Sequence, residues 1–173
     1  MQESKKTLYL VRHAKSSWKN PDIPDIQRPL LEKGKKRTKQ MIDYLYEQQA
    51  QMDMIISSHA ARAVATAKIL AHAFQHPLAE MIIAKTIYEG NEQSTANLFF
   101  DLGSDIRHLW IVGHNPTITN FANQFLDQKI DYLQTSGVVC INFEMDHWEQ
   151  LLTAKRSMNF VMYPKKLKSL KKA

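Results

Sequence analysis

The sequence predicts an α/β fold, a three-layer α/β/α sandwich around a mostly parallel, mixed sheet of about six strands. Two patterns predict it. Short continuous apolar runs, as buried parallel strands show, recur at residues 7–11, 54–56, 81–84 and 109–112. Between them lie apolar stripes with helical spacing: Thr38, Met41, Ile42 and Leu45; then Ala63, Ala67, Leu70 and Phe74; then Ile118, Phe121, Ala122 and Phe125. Strands that alternate with helices of this length bury their edges and faces best as a parallel sheet with helices on both sides.

Each element has its local reasons. Ser57 and Ser58 are candidate caps for the second helix, and Asn115 with Pro116 for the third. Residues 19–32 contain three prolines and read as an ordered surface loop leading into the first helix. Two later strands, at residues 138–143 and 159–163, complete the sheet, and one of them is open to running antiparallel. The chain of 173 residues fits one domain, expected over 1–164, followed by a basic tail over 165–173.

Composition narrows the function classes. Apolar residues are 44% and charged residues 23%, as in folded soluble domains, which excludes disordered, collagen-like and coiled-coil chains. No apolar run reaches the roughly 20 residues of a bilayer span, and no signal peptide is read at the start, so the expectation is a cytoplasmic protein with no membrane span. A single cysteine, Cys140, excludes an internal disulfide and is expected as a buried, inert thiol. The net charge is +6, but the last ten residues hold five lysines and no acid, leaving the body close to neutral. Another basic run, from Lys33 to Lys39, reads as a solvated face. With the excess confined in this way and no stacking motif, nucleic acid is not an expected partner.

In open α/β sheets, ligands sit at the carboxyl ends of the strands. The residues just past each strand are therefore informative: Arg12 and His13 after the first, Ser58 and Arg62 after the second, Glu89 after the third, and His114 after the fourth. Two guanidiniums can hold a phosphoryl dianion through paired donors. An imidazole beside an arginine can attack phosphorus, and a second histidine can stabilise the transferring oxygens. A carboxylate can protonate the leaving group. Together these groups make phosphoryl transfer through a phosphohistidine, with no metal or other cofactor expected.

The stretches LVRHAKSSW (10–18), SSHAARAVATA (57–67), YEG (88–90) and GHNP (113–116) resemble the histidine phosphatase superfamily, whose fold is phosphoglycerate mutase-like. The Arg-His-Ala-Lys-Ser form, with Arg28, Pro29, Leu30 and Gly34 and the short length, looks like its SixA-type phosphohistidine phosphatase branch. The resemblance spans residues 7 to 164. It implies His13 as phosphate acceptor, Arg12, Arg62 and His114 as the phosphate pocket, and Glu89 as proton donor; by closeness in the sequence alone, Glu92 is a substitute for Glu89. The family's commoner glycine after the catalytic histidine is Ala14 here, and Lys19 stands where mutase members usually carry asparagine. Those departures, and the lack of room for capping insertions, point to an open site for a large substrate such as a phosphorylated protein. Alternatives are a broad small-molecule phosphomonoesterase of the same mechanism and a non-catalytic phosphate-binding module.

Other residues carry lesser expectations. Lys15 and Ser16 line the mouth of the site and join its phosphate-binding set. Arg28 pairs with Asp22 or Asp25, and Arg62 has the alternative of pairing with an acid. Ser136 and Gly137 approach the phosphate edge. His59, His72, His76, His108 and His147 read as surface or packing residues, with no metal site among them.

Overall fold

A computed structural model describes residues 5–173. Six strands form one sheet: β1 (Lys5–Arg12), β2 (Met54–Ser57), β3 (Ile82–Ile83), β4 (His108–Gly113), β5 (Val138–Glu144) and β6 (Lys155–Met162), in the order β3-β2-β4-β1-β5-β6. β1, β2, β3 and β4 are mutually parallel, whereas β5 runs antiparallel to both β1 and β6. The sheet is thus mixed and mostly parallel.

Alternation along the strands sends side chains to two separate cores. Leu8, Leu10, Ile56, Leu109, Ile111, Val139 and Ile141 face α3 (Thr86–Glu89), α4 (Glu92–Asn97) and α5 (Thr117–Asn123), through Ile87, Ala96, Ile118 and Phe121. Tyr9, Val11, Ile55, Trp110, Val112 and Cys140 face the other way, against α1 (Glu32–Glu47), α2 (Ala61–Ala73) and α6 (Pro164–Leu170). Thr38, Met41, Ile42 and Leu45 are all buried on α1, as are Ala63, Ala67 and Leu70 on α2 and Ile118, Phe121 and Ala122 on α5; Phe74 is partly buried at the end of α2, and Phe125 is buried just past α5.

The elements differ from expectation where burial is one-sided. β3 shrinks to two exposed residues on the sheet edge. β6 begins at Lys155, because backbone pairing with β5 continues over residues that are exposed and carry no apolar signal. Helix α5 starts at Thr117 with no side-chain cap; Asn115 instead accepts from Thr119 Oγ1 and donates to the Leu133 carbonyl. Neither Ser57 nor Ser58 occupies the cap position of α2, which falls at Ala60, although Ser58 Oγ accepts from the Ala60 N–H at 3.2 Å. The lysine-rich segment is not a free tail: it is helical as α6 and plants Leu167 in the second core.

One buried charge stiffens the sheet's far end. Lys6 has no exposed surface, and its ammonium donates to the carbonyls of Ser104 and Ile106 at 2.8 Å each, over the ring of Trp148. Desolvation, then the charge of Arg107, lowers its pKa. No helix among the described residues is long and apolar enough to cross a membrane.

Candidate active site

The site is built by the register of β1 on β4. Arg12 pairs with Gly113, and the His13 N–H donates to the Gly113 carbonyl at 3.1 Å. That registration sets His13 and His114 side by side, ring centroids 5.0 Å apart. The turn after β1 is held from behind. The Ser136 N–H donates to the carbonyls of Arg12 and His13, and Ser136 Oγ bonds Thr38 Oγ1 at 2.9 Å. The Ala14 N–H donates to Thr66 Oγ1 of α2 at 2.9 Å. Ser136 and Gly137 therefore act on the backbone beneath the histidine. Gly34 lets α1 approach this turn, since a Cβ there would lie 2.4 Å from the Lys15 carbonyl oxygen.

A cleft of about 480 Å³ opens above, lined among others by Arg12, His13, Lys15, Ser16, Asp25, Arg28, Arg62 and His114. His13 is 7% exposed. Its Nδ1 lies 2.7 Å from the Ala14 carbonyl oxygen, which only an Nδ1–H can satisfy. Nε2 accordingly carries the lone pair, and it accepts from Arg62 Nε at 3.3 Å. Burial first, against the Ala14 bond and with the charges of Arg62, Arg12 and Arg28, brings His13 down to about 4. The ring is neutral at neutral pH and presents an unprotonated nitrogen to the guanidiniums.

His114 Nε2 is bonded to Ser58 Oγ at 2.7 Å, and Tyr88 stands edge-on to its ring. Burial, followed by His13 and Arg62, lowers its pKa to about 3. Arg12 Nη1 donates to the Leu133 carbonyl at 3.0 Å, while its Nε and His114 Nδ1 are buried with no partner among the described residues. Burial lowers Arg12 and Arg28, and Arg62 adds to both. Cations this close to one another form a receptor for an anion with several oxygens.

Asp25, from the proline-rich loop, is the partner that the sequence left undecided. Its carboxylate accepts from Arg28 Nη1 at 3.1 Å, Arg62 Nη2 at 2.9 Å and the Tyr88 hydroxyl at 2.8 Å, and its carbonyl from Arg62 Nη1 at 2.7 Å. Partial burial alone would raise Asp25, but the Tyr88 and Arg62 bonds outweigh it and hold the group below the ordinary carboxylate range. Arg62 thus faces both His13 and a carboxylate. The signals for Asp25 were its closeness to Arg28 and the ordered loop; nothing in the sequence set it against α2.

The remaining expectations divide. Ser16 is buried and accepts from Arg28 Nη2, and Lys15 is an exposed member of the cleft wall. Trp18 is 76% exposed but stacks on Arg28, its ring centroid 3.3 Å from the guanidinium carbon. Glu89 is not brought to the cleft. It ends the short helix α3, mostly exposed, with its carboxylate 3.6 Å from His59 Nε2. Glu92 opens α4 and does not line the cleft either. Asp22 is exposed, and the Arg28 bond goes to Asp25. Among the described residues, no three His, Cys, Asp or Glu side chains cluster as metal ligands would.

The family model of the histidine phosphatase superfamily (branch 1) matches residues 8–91. No curated protein matches the sequence. Solved structures do. The protein histidine phosphatase SixA complexed with tungstate has a TM-score of 0.78 at 15% identity, over 93% of this chain and 99% of its own. A candidate phosphohistidine phosphatase SixA from Agrobacterium tumefaciens gives 0.76 at 22%, over 92% and 98%. Phosphoglycerate mutase from Plasmodium falciparum is more distant, 0.61 at 14%, over 91% and 90%. At such identities the likeness is one of fold. The family match over residues 8–91 and the phosphoglycerate mutase-like fold both make the chain similar to the histidine phosphatase superfamily.

Proposed function

We propose that the protein is a metal-independent phosphatase that works through a phosphohistidine intermediate at His13, with protein phosphohistidine as its substrate. The observation that carries this reading is the state of His13: a buried, neutral imidazole whose Nε2 lone pair meets Arg62 at 3.3 Å, while Nδ1–H is fixed by the Ala14 carbonyl. In the first step that lone pair attacks phosphorus. The new Nε2–P bond forms as the bond from phosphorus to the substrate's imidazole breaks. A substrate phosphoimidazole protonated on its other nitrogen then leaves as neutral imidazole. Positive charge on the phosphorylated His13 is met by its Nδ1–H bond to Ala14. In the second step water attacks phosphorus, the P–Nε2 bond breaks, and His13 recovers its lone pair. The water's protons leave with phosphate or pass to solvent.

Arg12, Arg62 and His114 stabilise the equatorial oxygens in both steps, the two arginines supplying the positive charge that a metal provides elsewhere. The placement of Glu89 bears on the substrate. An alkyl ester leaves as an alkoxide and needs an acid within hydrogen-bond reach, whereas an imidazole needs none. Asp25, the carboxylate in the cleft wall, is held ionised by Tyr88 and Arg62, and Glu89 faces His59, so neither is poised as a proton donor, which favours the phosphoramidate. Open walls, and the likeness to structures described as SixA, support the same reading.

The test is a turnover panel on wild type and His13→Ala, with a phosphohistidine peptide, an alkyl phosphate and p-nitrophenyl phosphate, each with and without EDTA. The phosphohistidine peptide should be cleaved fastest, EDTA should change nothing, and His13→Ala should lose at least ~10³-fold, with no acid-labile phosphoenzyme. A label that persists in His13→Ala would remove the nucleophile. Activity lost to EDTA and restored by magnesium or zinc would remove metal independence. Faster cleavage of the alkyl ester would favour the small-molecule phosphomonoesterase.

A further inference from the structure

A second, larger hollow of about 740 Å³ lies beside the catalytic cleft and shares Arg37 and Thr135 with it. Two helices wall it. From α1 come Lys33, Lys36 and Arg37, with Gln40 one turn further, the i, i+3, i+4, i+7 row of a single face. From α6 and the residues after it come Lys165, Lys168, Lys171 and Lys172. Leu167, buried against the core, fixes α6 in place, so these lysines form a wall of the fold. No acid is among the residues lining the hollow, and none of these seven cations forms an ion pair among the described residues. Like charges gathered without counter-charge repel one another, at a cost in stability that an anionic occupant would relieve.

The side-chain chemistry selects among polyanions. In the catalytic cleft phosphate recognition rests on buried arginines in fixed, partnered positions. The trough offers six exposed ammoniums on flexible stems and one half-buried guanidinium. Such point charges suit carboxylates spread along a polypeptide, where reach matters more than bidentate geometry. No aromatic side chain lines the trough to stack a base, which disfavours a single-stranded nucleic acid.

We propose that the trough between α1 and α6 is a docking surface for an acidic segment of the substrate protein, which runs past Arg37 and delivers its phosphorylated side chain to His13. This rests on the phosphatase reading above and names its substrate more closely. The two basic runs of the sequence, one near the start of α1 and one at the end of the chain, thereby become one surface.

The experiment uses the full chain and two phosphohistidine peptides of equal length, one flanked by glutamates and one by glutamines. Wild type should prefer the acidic peptide in kcat/KM by at least ~10-fold at low salt, and the preference should shrink as salt rises. In the variant Lys36→Glu, Lys168→Glu, Lys172→Glu the ratio should fall to about one or below. A fluorescent, unphosphorylated glutamate-rich peptide should bind wild type and lose at least ~10-fold in affinity to the variant. A preference that survives in the variant, or equal cleavage of both peptides by wild type, overturns the proposal. So does tighter binding of linear polyphosphate or a single-stranded oligonucleotide than of the acidic peptide at one salt concentration. Binding of the acidic peptide without cleavage of either phosphopeptide would refute the phosphatase reading instead and leave the docking surface standing.

Discussion

The molecule has two cationic hollows side by side, and they are built on opposite principles. In the cleft, Arg28 and Arg62 are 7% and 6% exposed and are gripped by Asp25 and Ser16, with the Tyr88 hydroxyl donating to Asp25 in turn. In the trough the lysines are exposed and form no ion pair among the described residues. Buried guanidiniums in fixed positions cost desolvation but arrive organised, so they discriminate the geometry of one anion. Exposed ammoniums cost little and are screened by salt, so they gather charge at a distance without fixing it. Cationic surface alone therefore says little about function; burial and partners separate catalysis from capture.

The largest effect that would sharpen this contrast is expected at Arg62. Arg62→Ala should lower kcat/KM by ~10²–10³-fold on every phosphorylated substrate, and Arg62→Lys should restore little, because one ammonium cannot face His13 Nε2 and Asp25 together. Full rescue by lysine would make Arg62 a simple point charge, like those of the trough.

The next effect is on stability against pH. His13 and His114 have folded pKa values of about 4 and about 3, below the ordinary 6.5. The folded protein thus binds fewer protons than the unfolded chain, so stability is full above about pH 6.5 and is lost as pH falls. The loss continues until the folded groups themselves titrate, with a slope of up to ~1.4 kcal/mol per pH unit for each histidine. Urea unfolding at pH 7.5, 6 and 5 should show the decline, and His114→Asn should flatten it. An identical slope in the variant would show that the cleft histidines are not the source. Charge changes in the trough should leave this slope alone.

A smaller change is expected from Asp25→Asn. The carboxylate competes with an incoming anion for Arg28 and Arg62 while it holds both in place. Its side chain is 46% exposed, so the competition is screened and should be worth about 1 kcal/mol, or about fivefold tighter inhibition by tungstate. Weaker tungstate binding would mean that positioning outweighs competition.

The strand and helix periods, and the rule that chemistry gathers at the carboxyl ends of parallel strands, were legible in the sequence because they are local or topological. Arg12, His13, Arg62 and His114 meet in one cleft, since each sits within a few residues of a strand end. Glu89 followed the same rule and still falls outside the cleft, because the short helix α3 turns its side chain toward His59. Side-chain direction at a helix end depends on packing that no spacing encodes. Asp25 lies far along the chain from its partner on α2, and only the fold of a proline-rich loop sets it against Arg62. The lysine run near the start of α1 and the one at the end of the chain read separately as solvated charge. Leu167, a single apolar residue between lysines, docks α6 and joins them. The sequence by itself determined the layers of the fold and the set of arginines and histidines that meet in the cleft, through periodicity and proximity to strand ends. Tertiary structure alone decided which acid meets the arginines and which basic runs share a wall, because those contacts join segments that no local pattern relates.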